Sequence, residues 1–169
     1  LKDLGKTELA FEAYLNAIKL NREEVSNYNL ISNFLGYSNL SNINKEKISN
    51  IIDILLERDD INHRELFRSF KLLYKQELIK FQYKSISDIT NGYFFKSLVR
   101  DKLLVKAMKK IIFTDILWEK ILTSYRYYIS IRMSNEKSNL NETELNFVLS
   151  LAEQCFLNEY VFSVTEEEN

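Results

Sequence analysis

The chain of 169 residues contains no proline and only three glycines, Gly5, Gly36 and Gly92. All-β domains turn every few residues and lean on those two residue types to do so; a chain this poor in them is built of helices. The apolar residues repeat with the matching period. Over 45–58, Ile48, Ile51, Ile52, Leu55 and Leu56 fall on one helical face behind Asn44, a predicted N-cap. Leu66, Phe67, Phe70, Leu73, Tyr74 and Leu78 continue the pattern after Asn62 and Glu65, whose capping-box spacing predicts the start of one helix. Trp118, Ile121, Leu122, Tyr125, Ile129 and Met133 predict a third, opened by Thr114 and Asp115. Asn141 and Glu144 form a second box-like start, followed by Leu145, Val148, Leu149, Ala152, Phe156 and Tyr160 as the predicted buried face. Shorter helices are predicted over 25–35, 88–98 and 101–112. The Ser- and Asn-rich pieces 36–45 and 133–142 read as loops, and 165–169 as an acidic tail.

With 46% hydrophobic and 28% charged residues, the chain has enough apolar surface to offset the entropy lost on folding. Its net charge of -1 argues against a surface built throughout for nucleic acid, so any such role must be local. The single cysteine, Cys155, has no internal disulfide partner and reads as a small apolar side chain, which suits a reducing cytoplasm. No apolar run reaches the roughly 20 residues of a membrane helix. The densest, 110–122, is broken by Asp115, Glu119 and Lys120. The abundance of Ile, Asn, Lys, Tyr and Phe, with their A- and T-rich codons, points to a bacterial source.

The stretch GKTELAFEAYLNAIKLN, 5–21, sets Ala10, Tyr14, Ala17 and Leu20 along one helix. Small residues at a helix edge let a neighbour approach closely, and the aromatic fills the adjacent groove. This stretch resembles the second helix of a tetratricopeptide repeat, with Arg22 where the repeat has a proline. Tyr28 and Ile31 stand where the next repeat carries large residues, and Ser32 replaces its usual glycine. Segments 55–69 and 111–126 look like the helical region that, in a family of bacterial proteins, follows such repeats and precedes an S-adenosylmethionine-dependent methyltransferase domain. The resemblance implies the middle of a larger protein, cut before its enzyme. The chain has no counterpart of the glycine-rich strand-to-helix turn that holds such a cofactor, so it is expected to be non-catalytic and to take no cofactor.

Several groups invite a chemical reading. His63, the only histidine, follows Asp59 and Asp60, and the three could suggest a metal or acid–base site. Acidic and amide residues before a helix more often cap it, and that reading is preferred. One His and one Cys supply no zinc-type spacing, and a Cys155–His63 pair needs a proximity the sequence does not show. Asp115 and Glu119 lie one helical turn apart, but an exposed charged face beside Lys120 and Arg126 accounts for them. Lys102, Lys106, Lys109 and Lys110 share one face of a basic amphipathic helix, with Leu103, Leu104, Met108, Ile111 and Ile112 on the other. The preferred reading is a solvated outer face, with a surface for anionic lipid or nucleic acid, or a docking face for an acidic partner, as the alternatives. No aromatic residue interleaves with these lysines, which counts against single-stranded nucleic acid. Tyr125 and Arg126, in SYRYY, form a candidate recognition surface.

The sequence thus predicts an all-α protein of seven or eight antiparallel helices. Residues 1–40 are expected to be tetratricopeptide- or solenoid-like, 41–165 a more globular helical bundle, and 166–169 an acidic tail. Its expected role is that of a protein-interaction or spacer module. An apolar edge of Leu9, Ala13 and Leu20, which a preceding repeat helix would cover, predicts association between copies.

Overall fold

The computed structural model describes residues 2–82, 94–136 and 139–158. The first part of the helix expected over 88–98, Tyr160 and the acidic tail lie outside them. The fold is all-α, and the described residues contain no strand. The helices are α1 (Lys2–Leu20), α2 (Val25–Tyr37), α3 (Lys45–Leu56), α4 (Phe67–Leu73), α5 (Lys75–Gln82), α6 (Phe95–Val99), α7 (Lys102–Lys110), α8 (Ile116–Glu136) and α9 (Glu142–Leu157); a 3-10 turn, Arg64–Leu66, leads into α4. The chain divides into two compact units, Leu1–Lys75 and Gln76–Asn169.

In the first unit, α1 and α2 form an antiparallel hairpin. Asn27 Nδ2 donates to the Ala17 carbonyl at 3.3 Å near the link, while the Tyr14 and Phe34 rings meet further along at 5.3 Å. Phe11 and Ile18 are buried in α1, and Tyr28, Ile31 and Leu35 in α2. The helix α3 begins at Asn44, whose Oδ1 accepts from the Glu46 N–H at 2.7 Å, and all five apolar positions predicted for its inner face are buried. Ser32, in the place of the repeat's glycine, is 1% exposed and donates to the Asn62 carbonyl at 3.1 Å. A buried hydroxyl keeps its place there because it finds an acceptor.

The single helix expected after Asn62 is instead three pieces: the 3-10 turn, α4 and α5, with a break at Tyr74. Asn62 caps the turn by accepting from the Arg64 N–H at 2.9 Å, and Glu65 returns no bond to it. Glu65 is engaged elsewhere. Its backbone and Cβ press against Gly36 of α2, where an added Cβ would lie 2.8 Å from Glu65 Cβ. Its carboxylate lies beside Tyr37 and raises the Tyr37 pKa. Arg68 then donates to the Gly36 and Tyr37 carbonyls at 3.2 and 3.3 Å, satisfying acceptors that the end of α2 leaves open.

In the second unit, α7 packs on α9. Asp101 caps α7 through the Leu104 N–H at 3.0 Å, and Leu104, Ala107, Met108 and Ile111 are buried. Leu103 is half-buried and Ile112 41% exposed, so the buried face is narrower than the predicted one. Asp115 caps α8 by accepting from the Leu117 and Trp118 N–H groups at 3.0 and 3.3 Å. Trp118, Ile121, Leu122, Tyr125 and Ile129 are buried as predicted. Met133 is exposed, and α8 runs through what the sequence suggested was a loop to Glu136.

The face of α9 corrects the sequence reading most. Its predicted inner residues point outward, with Leu145 46%, Leu149 51% and Phe156 69% exposed, whereas Phe147, Ser150, Leu151 and Gln154 are buried. Half of the true inner face is polar. Ser150 donates to the Asn146 carbonyl at 2.8 Å. Gln154 Nε2 donates to the Met108 and Ile111 carbonyls at 3.1 and 2.8 Å, and its Oε1 accepts from the Phe113 N–H at 3.0 Å. Hydrogen-bonded in this way, a buried amide joins the end of α7 and the following link to α9 without a desolvation penalty.

Candidate functional site

The second unit holds a cleft of about 580 Å³ between α6, α8 and the first turn of α9. Its position follows from how α9 starts. Asn141 and Glu144 form the predicted capping box: Asn141 Oδ1 accepts from the Glu144 N–H at 3.0 Å, and Glu144 Oε2 accepts from the Asn141 N–H at 3.1 Å. The same carboxylate receives both terminal nitrogens of Arg132 from α8, at 2.6 and 2.9 Å. A planar guanidinium and a carboxylate meeting through two bonds fix orientation as well as distance. Arg132 therefore ties the end of α8 to the start of α9, and its bonds hold the Glu144 pKa below the usual carboxylate value.

Aromatic rings make the floor. Phe95 of α6 lies edge-on to Tyr125 at 5.1 Å, Tyr125 meets Phe147 of α9 edge-on at 4.7 Å, and Tyr128 stands 5.5 Å from Phe95. Such tilted and edge-on pairs are favourable beyond the area they bury. Tyr125 is 1% exposed, and its hydroxyl has no hydrogen-bond partner in the structure. Burial raises its pKa far above the ordinary tyrosine value; the Glu144 charge adds to this and Arg132 opposes it. The neutral phenol is thus a donor held beside an ion pair. Lys96 and Arg100 form the α6 wall, and Glu142 and Thr143 the α9 wall.

The other sequence-derived candidates are dispersed. Leu9, Ala13 and Leu20 are exposed together on α1 in the first unit. In the second, Lys102 and Lys109 are exposed, while Lys106 and Lys110 are half-buried and engaged with neighbours. Tyr125 is 1% exposed and lies in the core at the floor of the cleft rather than on an outer surface. Arg126 is half-buried and hydrogen-bonded to Cys155. Cys155 is itself half-buried, and burial raises its thiol pKa, with Arg126 opposing. His63 Nε2 lies 3.0 Å from the Leu55 carbonyl, and Asp60 pairs with Arg58. Among the described residues, no three His, Cys, Asp or Glu side chains are grouped to hold a metal ion, and no helix is long and apolar enough to cross a membrane.

The sequence reading missed the cleft. Its legible parts were the capping box and the SYRYY cluster, which holds Tyr125 and Tyr128; Arg132 and Phe95 carried no local signal. Fold and site together define an all-α protein with a charged, aromatic-floored cleft in its second unit. No protein-family model, curated protein or solved structure matches the chain.

Proposed function

We propose that the chain is a non-catalytic helical interaction module whose first unit associates through the outer edge of α1. The observation that carries this reading is the division of α1 into two faces. Phe11 and Ile18 are buried and Tyr14 packs on Phe34, while on the other edge Leu9 is 73% and Leu20 88% exposed, with Ala13 between them. The tetratricopeptide resemblance of 5–35 supports it, because repeats of that kind bury such an edge against the next helix. By the same resemblance, the module would stand beside an S-adenosylmethionine-dependent methyltransferase domain in a bacterial cytoplasm. The occupant proposed for this edge is a second copy of the chain. The half-buried, engaged state of Lys106 and Lys110 leaves the basic face of α7 the weaker basis for function.

Sedimentation velocity over a rising concentration series tests the proposal. The expected result is a reversible shift from monomer to dimer that Leu20→Glu abolishes, since a carboxylate in an apolar contact carries a large desolvation cost. A chain that stays monomeric at the highest concentration, or a dimer indifferent to Leu20→Glu, overturns it.

A further inference from the structure

We propose that the cleft of the second unit binds a small organic monocarboxylate with a flat apolar body. At its α9 wall, the N–H groups of Asn141 and Glu144 are occupied by the capping box, but those of Glu142 and Thr143 have no partner within the helix. Donors at a helix start, at the positive end of its dipole, receive an anion. The buried, unpartnered Tyr125 hydroxyl independently points to a ligand: it lines the same cleft and needs an acceptor.

Charge selects the class. Arg100 and Arg132 line the cleft against Glu142 and Glu144, so these charges balance and the positive end of the α9 dipole tips the site towards an anion. Glu144 takes both terminal nitrogens of Arg132 but leaves its buried Nε without a partner, and the exposed Arg100 stands on the facing wall, so two guanidinium groups can meet a ligand carboxylate. Glu142, exposed at the rim, repels a dianion more than a monoanion, so a phosphate monoester fits less well than a carboxylate. The half-buried Tyr128 ring, backed by the buried Phe95, supplies a flat apolar surface for the rest of the molecule. The volume of about 580 Å³ falls within the range of small-molecule sites.

The test is a titration of the full chain with phenylacetate, phenylacetamide and inorganic phosphate, followed through backbone amide NMR shifts. Phenylacetate is expected to shift Glu142 and Thr143 saturably, and phenylacetamide, which loses the charge-assisted hydrogen bond, and phosphate, which lacks the apolar body, each to bind at least about 10-fold more weakly. Arg100→Ala, an exposed change, and Tyr125→Phe, which removes one oxygen, are each expected to weaken phenylacetate about 10-fold with the unliganded spectrum otherwise intact. No saturable shift at these amides, equal binding of the amide or of phosphate, or wild-type affinity in Arg100→Ala overturns the proposal. If Tyr125→Phe disturbs the fold, the Arg100→Ala and phenylacetamide comparisons still decide it.

Discussion

The side-chain nitrogen of Gln154 donates to the carbonyl of Ile111 across 2.8 Å, from α9 to the residue that ends α7. The same side chain serves the Met108 carbonyl and the Phe113 N–H, so three backbone groups depend on one buried amide. Gln154→Leu keeps much of the volume and strands all three. The expected loss is about 3 kcal/mol of stability, since each stranded buried group costs roughly 1–3 kcal/mol and part of that is recovered by relaxation. Urea unfolding measures it, and amide exchange at Phe113 should accelerate in parallel. A midpoint unchanged from wild type would show that the amide is dispensable.

Gly36 sits inside α2, where alanine would ordinarily gain about 1 kcal/mol from helix propensity. Here a Cβ would meet Glu65 Cβ at 2.8 Å and Glu65 O at 2.9 Å. The obstruction is partly backbone and cannot rotate away. Gly36→Ala is therefore expected to destabilise the first unit by about 1–3 kcal/mol, the range for overpacking. A raised melting temperature would contradict this packing of the 3-10 turn on α2.

The two faces of α9 give opposed expectations. Phe147→Ala empties a site that is 1% exposed and packed on Tyr125, and should cost about 3–5 kcal/mol. Leu149→Glu, at a position 51% exposed, should change stability by no more than about 0.5 kcal/mol. If the costs came out reversed, the helix would be rotated from the orientation described, with the face suggested by the sequence turned inward.

The Arg132–Glu144 pair sets a pH dependence. Glu144 has a native pKa below the ordinary 4.5, so its carboxylate stabilises the fold fully above that value. The contribution is lost as pH falls through the lower native value. Both side chains are under one-fifth exposed, and the partly screened pair is expected to contribute about 1 kcal/mol. Unfolding midpoints of wild type and Glu144→Gln, taken from pH 7 downward, should differ at neutral pH and converge in acid. Curves that remain parallel would remove the pair from the acid response.

Helix content, most helix starts and the inner face of α3 were legible because each depends on neighbours in sequence. Asn44, Asp101, Asp115 and Asn141 all mark the starts of their helices, since a side-chain acceptor reaches the N–H groups of the next turn wherever the rest of the chain lies. The break at Tyr74 was hidden, because the apolar period runs through it without interruption.

The sequence by itself determined that this chain is all-α and where most of its helices begin, through the scarcity of turn residues, the helical period and short-range capping. Tertiary structure alone decided which side of α9 faces inward, because Gln154 can be buried only where distant carbonyls and an N–H group receive it, whereas Ser150 bonds back to its own helix. It alone assembled the cleft, whose Phe95, Tyr125, Arg132 and Glu144 come from three helices. Their meeting depends on ring packing and a two-bond ion pair between residues far apart in the chain, and a period or a motif records neither.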